Sequence, residues 1–165
     1  MTFDRLKTPI GEAMFTDRDV IREFGKIYHE AWWAKRKEEK GWTKLADIPP
    51  DEKNYKLASE LADEMKDVPC VVFACAVPPG TANSVIPATQ NLMLAAHTLG
   101  IGSVPTTLHP TVMDRFRAMF AIPKDVAFHF CIPLGYPRTT YGTSRRLPTS
   151  ETTYLNRWGA PVPWT

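Results

Sequence analysis

The stretch SVIPATQNLMLAAHTLGIGSVPTTLHP, residues 84–110, reads as a helix that stops on a glycine and turns straight into a short strand. Ser84 is placed to cap the helix, and Pro87 falls in its first turn, where a missing N–H costs little. Apolar residues occupy most sides of the helix, which places it in a core. Gly100 and Gly102 then bracket Ile101, and Ser103, Pro105, Thr106, Thr107 and Leu108 follow. Taken alone, such a turn is either a plain helix C-cap or a run of amides able to hydrogen-bond the polar edge of a ring.

Outward from this stretch, VPCVVFACAV (68–77) is a near-continuous apolar run, as expected of a strand buried on both faces. DVAFHFCIPLGYP (125–137) reads as a second strand ending in a Gly/Pro turn. Upstream, Val20, Ile21, Phe24, Ile27, Tyr28, Ala31 and Trp32 recur at helical spacing behind a Thr16 or Asp17 cap, and Gly41 punctuates the end. The basic AKRKEEKGW (34–42) reads as a solvated helix end. A helix is expected over PPDEKNYKLASELADEM (49–65), entered at Pro50. Pro110 and Thr111 start another, with Val112, Phe116, Met119 and Phe120 inward, and SETTYLNRW (150–158) gives a short last helix. Helices alternating with three strands argue for an α/β or α+β layer, helices over a small sheet, in one domain over 1–165. Trp158 and Trp164 in the Pro-rich tail require a surface to pack on, which hints at a second subunit.

The 165 residues carry 44% hydrophobic and 23% charged side chains and a net charge of +2, which gives no reason to invoke nucleic acid or an acidic membrane. No apolar run approaches the roughly 20 residues of a membrane span, and MTFDRLKTPIGEAMF lacks a signal-peptide core, so the expected address is cytoplasmic. Three cysteines argue against a disulfide framework; Cys70 and Cys75, five apart, face opposite sides of their strand. His29, His97, His109 and His129 stand in different elements without metal-ligand spacing, and His129 reads as a satisfied core histidine. With no nucleophile motif, no P-loop and no dinucleotide fingerprint, the residues offer no catalytic side chain and no metal site. Chemistry here would come with a cofactor. Two pieces suit one: the amides of Ser103 and Thr106–Leu108 in the glycine turn, and Arg145 and Arg146 in the loop RTTYGTSRRLP, whose guanidinium forks match a phosphate.

In their order along the chain, residues 84–110, IPKDVAFHFCIPLGYP (122–137), RRLP (145–148) and NRWG (156–159) resemble the nitroreductase family of flavin-dependent oxidoreductases. The resemblance implies an α+β fold, helices packed on a small mixed sheet, in an intertwined homodimer holding FMN at its interface, reduced by NAD(P)H and reoxidised by nitroaromatic or quinone-like small-molecule acceptors. It implies that the backbone of Pro105, Thr106, Thr107 and Leu108 lines the isoalloxazine and that Arg146, with Arg145, reaches the phosphate. The sequence departs from the family at its start. The arginine cluster R-R-S-x-R, the A-P-S-x-x-N loop and the W-x-F-x-V-V strand are not found. GEAMFT (11–16) resembles the residues before that cluster, joined directly at Thr16–Asp17 to the helix that follows the strand, as though several tens of residues had been removed. Arg18 and Arg22 in TDRDVIREF (16–24) stand as alternative phosphate ligands, although they are four apart where the family has three. Loss of two charge-assisted phosphate bonds weakens binding by a factor of about 10² to 10⁴, and loss of a strand leaves an open sheet edge. The alternative to flavin turnover is a flavin-free relative acting as a small-molecule binder or interaction partner.

Overall fold

The computed structural model describes residues 10–77, 82–138, 142 and 146–164, and Arg145 lies outside them. The described elements are β1 (Ile10–Phe15), α1 (Arg18–Lys40), α2 (Lys53–Glu64), β2 (Cys70–Ala76), α3 (Ala82–Thr98), β3 (Gly102–Ser103), α4 (Met113–Met119), β4 (Ala127–Gly135) and α5 (Thr149–Thr152). Short 3₁₀ turns at Leu45–Asp47, Met65–Asp67 and Pro110–Val112 join them. The four strands form one sheet in the order β1-β2-β4-β3. The expected helices on a small sheet are present, but every described pairing is antiparallel rather than mixed.

β1 is the largest departure from the sequence reading. Ile10–Phe15 pairs along β2 from Ile10↔Ala76 to Phe15↔Val71, so a strand covers the edge expected to be open. Thr16 and Asp17 therefore link a strand to a helix, and GEAMF belongs to the sheet. Gly11 and Glu12 are poor strand formers, so the local sequence does not mark this segment as a strand.

α1 starts as its sequence demands. The Asp17 carboxylate accepts from the amides of Asp19 (2.9 Å) and Val20 (3.1 Å). Gly41 closes the helix at φ 74°, a left-handed cap that favours glycine. Gly25 lets α1 lie against the 65–67 turn: a Cβ there would sit 2.5 Å from the backbone N and Cα of Lys66. Arg18 donates to the carbonyls of Asp67 (3.2 Å) and Val68 (2.7 Å), and Arg22 pairs with Asp19. Both arginines thus serve the helix and its packing. Arg36 is buried near Trp32 and Tyr55, its guanidinium carbon 5.4 and 5.1 Å from their ring centroids, so the basic helix end is only partly solvated.

β2 is buried on both faces as expected, Cys75 on one side and Cys70 on the other. Val71, Phe73 and Cys75 face α1 and α4, where Phe73 lies 4.7–6.0 Å, centroid to centroid, from Phe15, Phe24, Phe116, Phe120 and Phe128. Val72, Ala74 and Ala76 face α3. α3 begins at Ala82, before the expected Ser84 cap, so Pro87 lies inside it rather than in its first turn. Nor is α3 a core helix in this chain: Val85, Thr89 and Ala96 are buried, whereas Ile86 and Leu94 are each 54% exposed. α2 starts at Lys53 instead of Pro50. Of SETTYLNRW only the first residues are helical; Tyr154 then bridges Pro161 and Trp158 is 89% exposed. His129 is not satisfied as expected, since its buried Nε2 has no hydrogen-bond partner among the described residues.

Candidate functional site

The turn after α3 is built by two donors that are missing. Gly100 ends the helix at φ 73°, and Gly102 and Ser103 pair with Gly135 and Leu134 of β4. The same register resumes at Thr106↔Cys131, leaving Val104 and Pro105 unpaired between. Pro105 and, on β4, Pro133 carry no N–H, so the ladder cannot close there. The chain lifts off the sheet and returns at one residue.

That residue, Thr106, is held at each of its polar atoms. Its amide donates to the Cys131 carbonyl (2.9 Å) and its carbonyl accepts from the Cys131 amide (2.8 Å). The Cys131 thiol lies 3.5 Å from the same carbonyl. Its hydroxyl is 2.8 Å from the phenol of Tyr28, which reaches across from α1. Three residues further on, His109 is tied to α1 as well. The Thr111 amide donates to Nδ1, so Nε2–H is left to meet the Glu38 carboxylate at 2.6 Å.

Between these anchors stand Thr107, exposed, and Leu108, half-buried against the larger core. Among the described residues neither amide has a hydrogen-bond partner. Thr106 cannot offer its amide to a ligand and Pro105 has none, so the donor set of the turn is Thr107 and Leu108. Pro105, Thr106, Thr107 and Leu108 thus share one turn, as the sequence implies, but with unequal roles. Arg146 is exposed, with no ion pair among the described residues and no hydrogen bond to the turn. The donor set fits a flavin: amides for the carbonyls and nitrogens of the ring edge, and a free guanidinium of the kind that binds phosphate.

Tyr28, Cys131, His109 and Glu38 were not singled out by sequence as site residues. Tyr28 falls on the apolar stripe of α1, and nothing local signals that its hydroxyl meets a residue 78 positions away. Burial pushes the Tyr28 phenol up to about 12, against a smaller opposing effect of the Thr106 hydrogen bond. Burial likewise raises the thiols of Cys131, Cys75 and Cys70, which leaves all three protonated and poor nucleophiles. Among the described residues no His, Cys, Asp and Glu group could hold a metal. Clefts among the described residues include one of about 620 Å³ beside His29, Trp33 and Lys44, and one of about 430 Å³ beside Glu12, Phe15 and Phe120. Neither is lined by the turn or Arg146.

Known proteins share this architecture. The nitroreductase family profile matches residues 13–136. A putative NADH dehydrogenase/NAD(P)H nitroreductase of Methanothermobacter thermautotrophicus is 34% identical over 102 residues, 57% of this chain and 53% of that protein. One of the same description from Archaeoglobus fulgidus is 40% identical over 53 residues, 31% of this chain and 30% of that protein. The match thus spans about half the length or less of these curated relatives. Among solved structures, iodotyrosine deiodinase bound to FMN and 3-iodo-L-tyrosine superposes with a TM-score of 0.65 at 16% identity, covering 92% of this chain and 77% of that one. The FMN-dependent nitroreductase NfnB from Mycobacterium smegmatis, in complex with NADPH, gives 0.59 at 20% identity over 90% and 79% of the two chains. These structural likenesses establish the fold.

Proposed function

The chain belongs to the nitroreductase family, and from that premise we propose that it is an FMN-dependent oxidoreductase that takes electrons from NAD(P)H and passes them to nitroaromatic or quinone-like acceptors. The observation that carries this reading is the clamped turn, which holds every polar atom of Thr106 and leaves the Thr107 and Leu108 amides open. Pro105 and Thr106 line the ring, and Thr107 and Leu108 donate to its polar edge. Arg146, with Arg145, neutralises the phosphate. Bound FMN supplies the electron transfer itself, which is why the site needs no acid, base or nucleophile of its own.

Neither of the clefts described above is lined by the turn or Arg146, so the proposed site takes a second wall. A homodimer supplies it. The exposed Ile86 and Leu94 of α3 and Leu99 beside the turn form the apolar surface on which such a partner packs. Among the described residues no helix is long and apolar enough to cross a membrane; a cytoplasmic dimer with a small-molecule acceptor is the proposed setting. Adding FMN to the purified protein and following flavin fluorescence tests the reading. Quenching that saturates, followed by bleaching of the visible bands with NADPH or NADH under anaerobic conditions, supports it. Unchanged fluorescence at excess protein rejects it.

A further inference from the structure

We infer that Tyr28 is a positioning residue, which from α1 fixes the turn so that the Thr107 and Leu108 amides are set for a ring acceptor. What those amides meet rests on the proposed flavin site; the clamp itself does not. The Tyr28 side chain is buried at 2% exposure, and its apolar neighbours, Phe24 at 6.2 Å among them, would be served equally by a phenylalanine. The hydroxyl is the part those neighbours leave unexplained. A buried hydroxyl is retained only with a partner, and this one has the Thr106 hydroxyl at 2.8 Å. Thr106 is β-branched, so fixing its oxygen fixes its side-chain torsion. The bridge to Cys131 fixes its backbone on the other side.

The His109–Glu38 contact adds a second tie from the same helix. α1 therefore grips the turn at both ends, Thr106 and His109, and β4 grips it at Thr106 as well. Thr107 and Leu108 are the two residues between these grips that have no partner among the described residues. This arrangement pre-organises donors before a ligand arrives, which lowers the ordering cost of binding.

The test compares Tyr28→Phe, Thr106→Val, the double variant and Thr106→Ser. Amide hydrogen exchange at Thr106 and Cys131, whose amides form the bridge that anchors the turn, is measured without added flavin, and FMN affinity by equilibrium fluorescence titration. Each of the first two variants is expected to speed exchange and weaken FMN binding by roughly 3- to 10-fold, the scale of one hydrogen bond. The double variant should be no worse than either single one, because both remove the same contact. Thr106→Ser, which keeps the hydroxyl, should restore both readouts and the visible spectrum of bound flavin. Unchanged exchange in Tyr28→Phe and Thr106→Val overturns the inference, and so do additive losses in the double variant. Faster exchange with unaltered FMN affinity overturns it too, since the clamp would then not serve the ring. If wild-type protein takes up no FMN, the flavin reading fails while the exchange data still decide the clamp.

Discussion

The two faces of β2 are finished to different degrees. One carries Val71, Phe73 and Cys75 under α1, α4 and a set of stacked phenylalanines, and it is closed by the chain itself. The other carries Val72, Ala74 and Ala76 under α3 alone, whose outer side leaves Ile86 and Leu94 in contact with solvent. The first face stabilises the fold. The second spends its apolar surface outward, close to the turn and beside Leu99 at 72% exposure. One side of the strand is thus closed within the chain, and the other, on the proposed function, is where a second copy packs.

The largest effect that separates the faces is a core truncation. Phe73→Ala removes a ring in contact with five others and should cost about 3–5 kcal/mol in urea unfolding. Next comes Tyr28, whose pKa lies near 12 when folded against 10.0 ordinarily. A raised folded pKa means that the stabilising contribution is complete below pH 10 and is lost as pH rises through 12. Wild type should therefore lose roughly 2–3 kcal/mol across that interval relative to Tyr28→Phe. Stability curves of the two proteins that stay parallel above pH 10 contradict this. Gly25→Ala drives a methyl group into the Lys66 backbone and should lower stability by about 1–3 kcal/mol. Asp17→Ala, which removes the α1 cap, should cost about 1 kcal/mol by thermal melting. Smallest in the isolated chain is the open face: Leu94→Gln should change unfolding by no more than about 0.5 kcal/mol while shifting a dimer toward monomer in sedimentation. If Leu94→Gln destabilises as much as Phe73→Ala, the two faces are not different in kind.

Much of the closed face was legible in sequence. The α1 stripe, its Asp17 cap and Gly41 stop, and the doubly buried 68–77 run are local patterns with local causes. The misses are non-local. β1 exists because β2 offers it an edge, not because Gly11 and Glu12 favour a strand. α3 reads as a core helix because its composition is apolar all round, and sequence cannot tell which of those apolar residues the rest of the chain covers. For the site, the order of motifs pointed to the turn at 105–108, whereas the division of labour within it depends on Tyr28, Cys131 and Glu38 arriving from other elements. His129, with its unpartnered Nε2, is a buried polar group for which the described residues give no physical account.

On the proposed function, the open face and its turn form half of a flavin site completed by a second copy of the chain. Size-exclusion chromatography of FMN-saturated protein, with light scattering and flavin absorbance read on the same peak, tests it most directly. Flavin bands should travel with a particle of two chains, and Leu94→Gln should lose both the colour and the paired mass. A colourless peak with the mass of one chain, eluting apart from the added FMN, would contradict it.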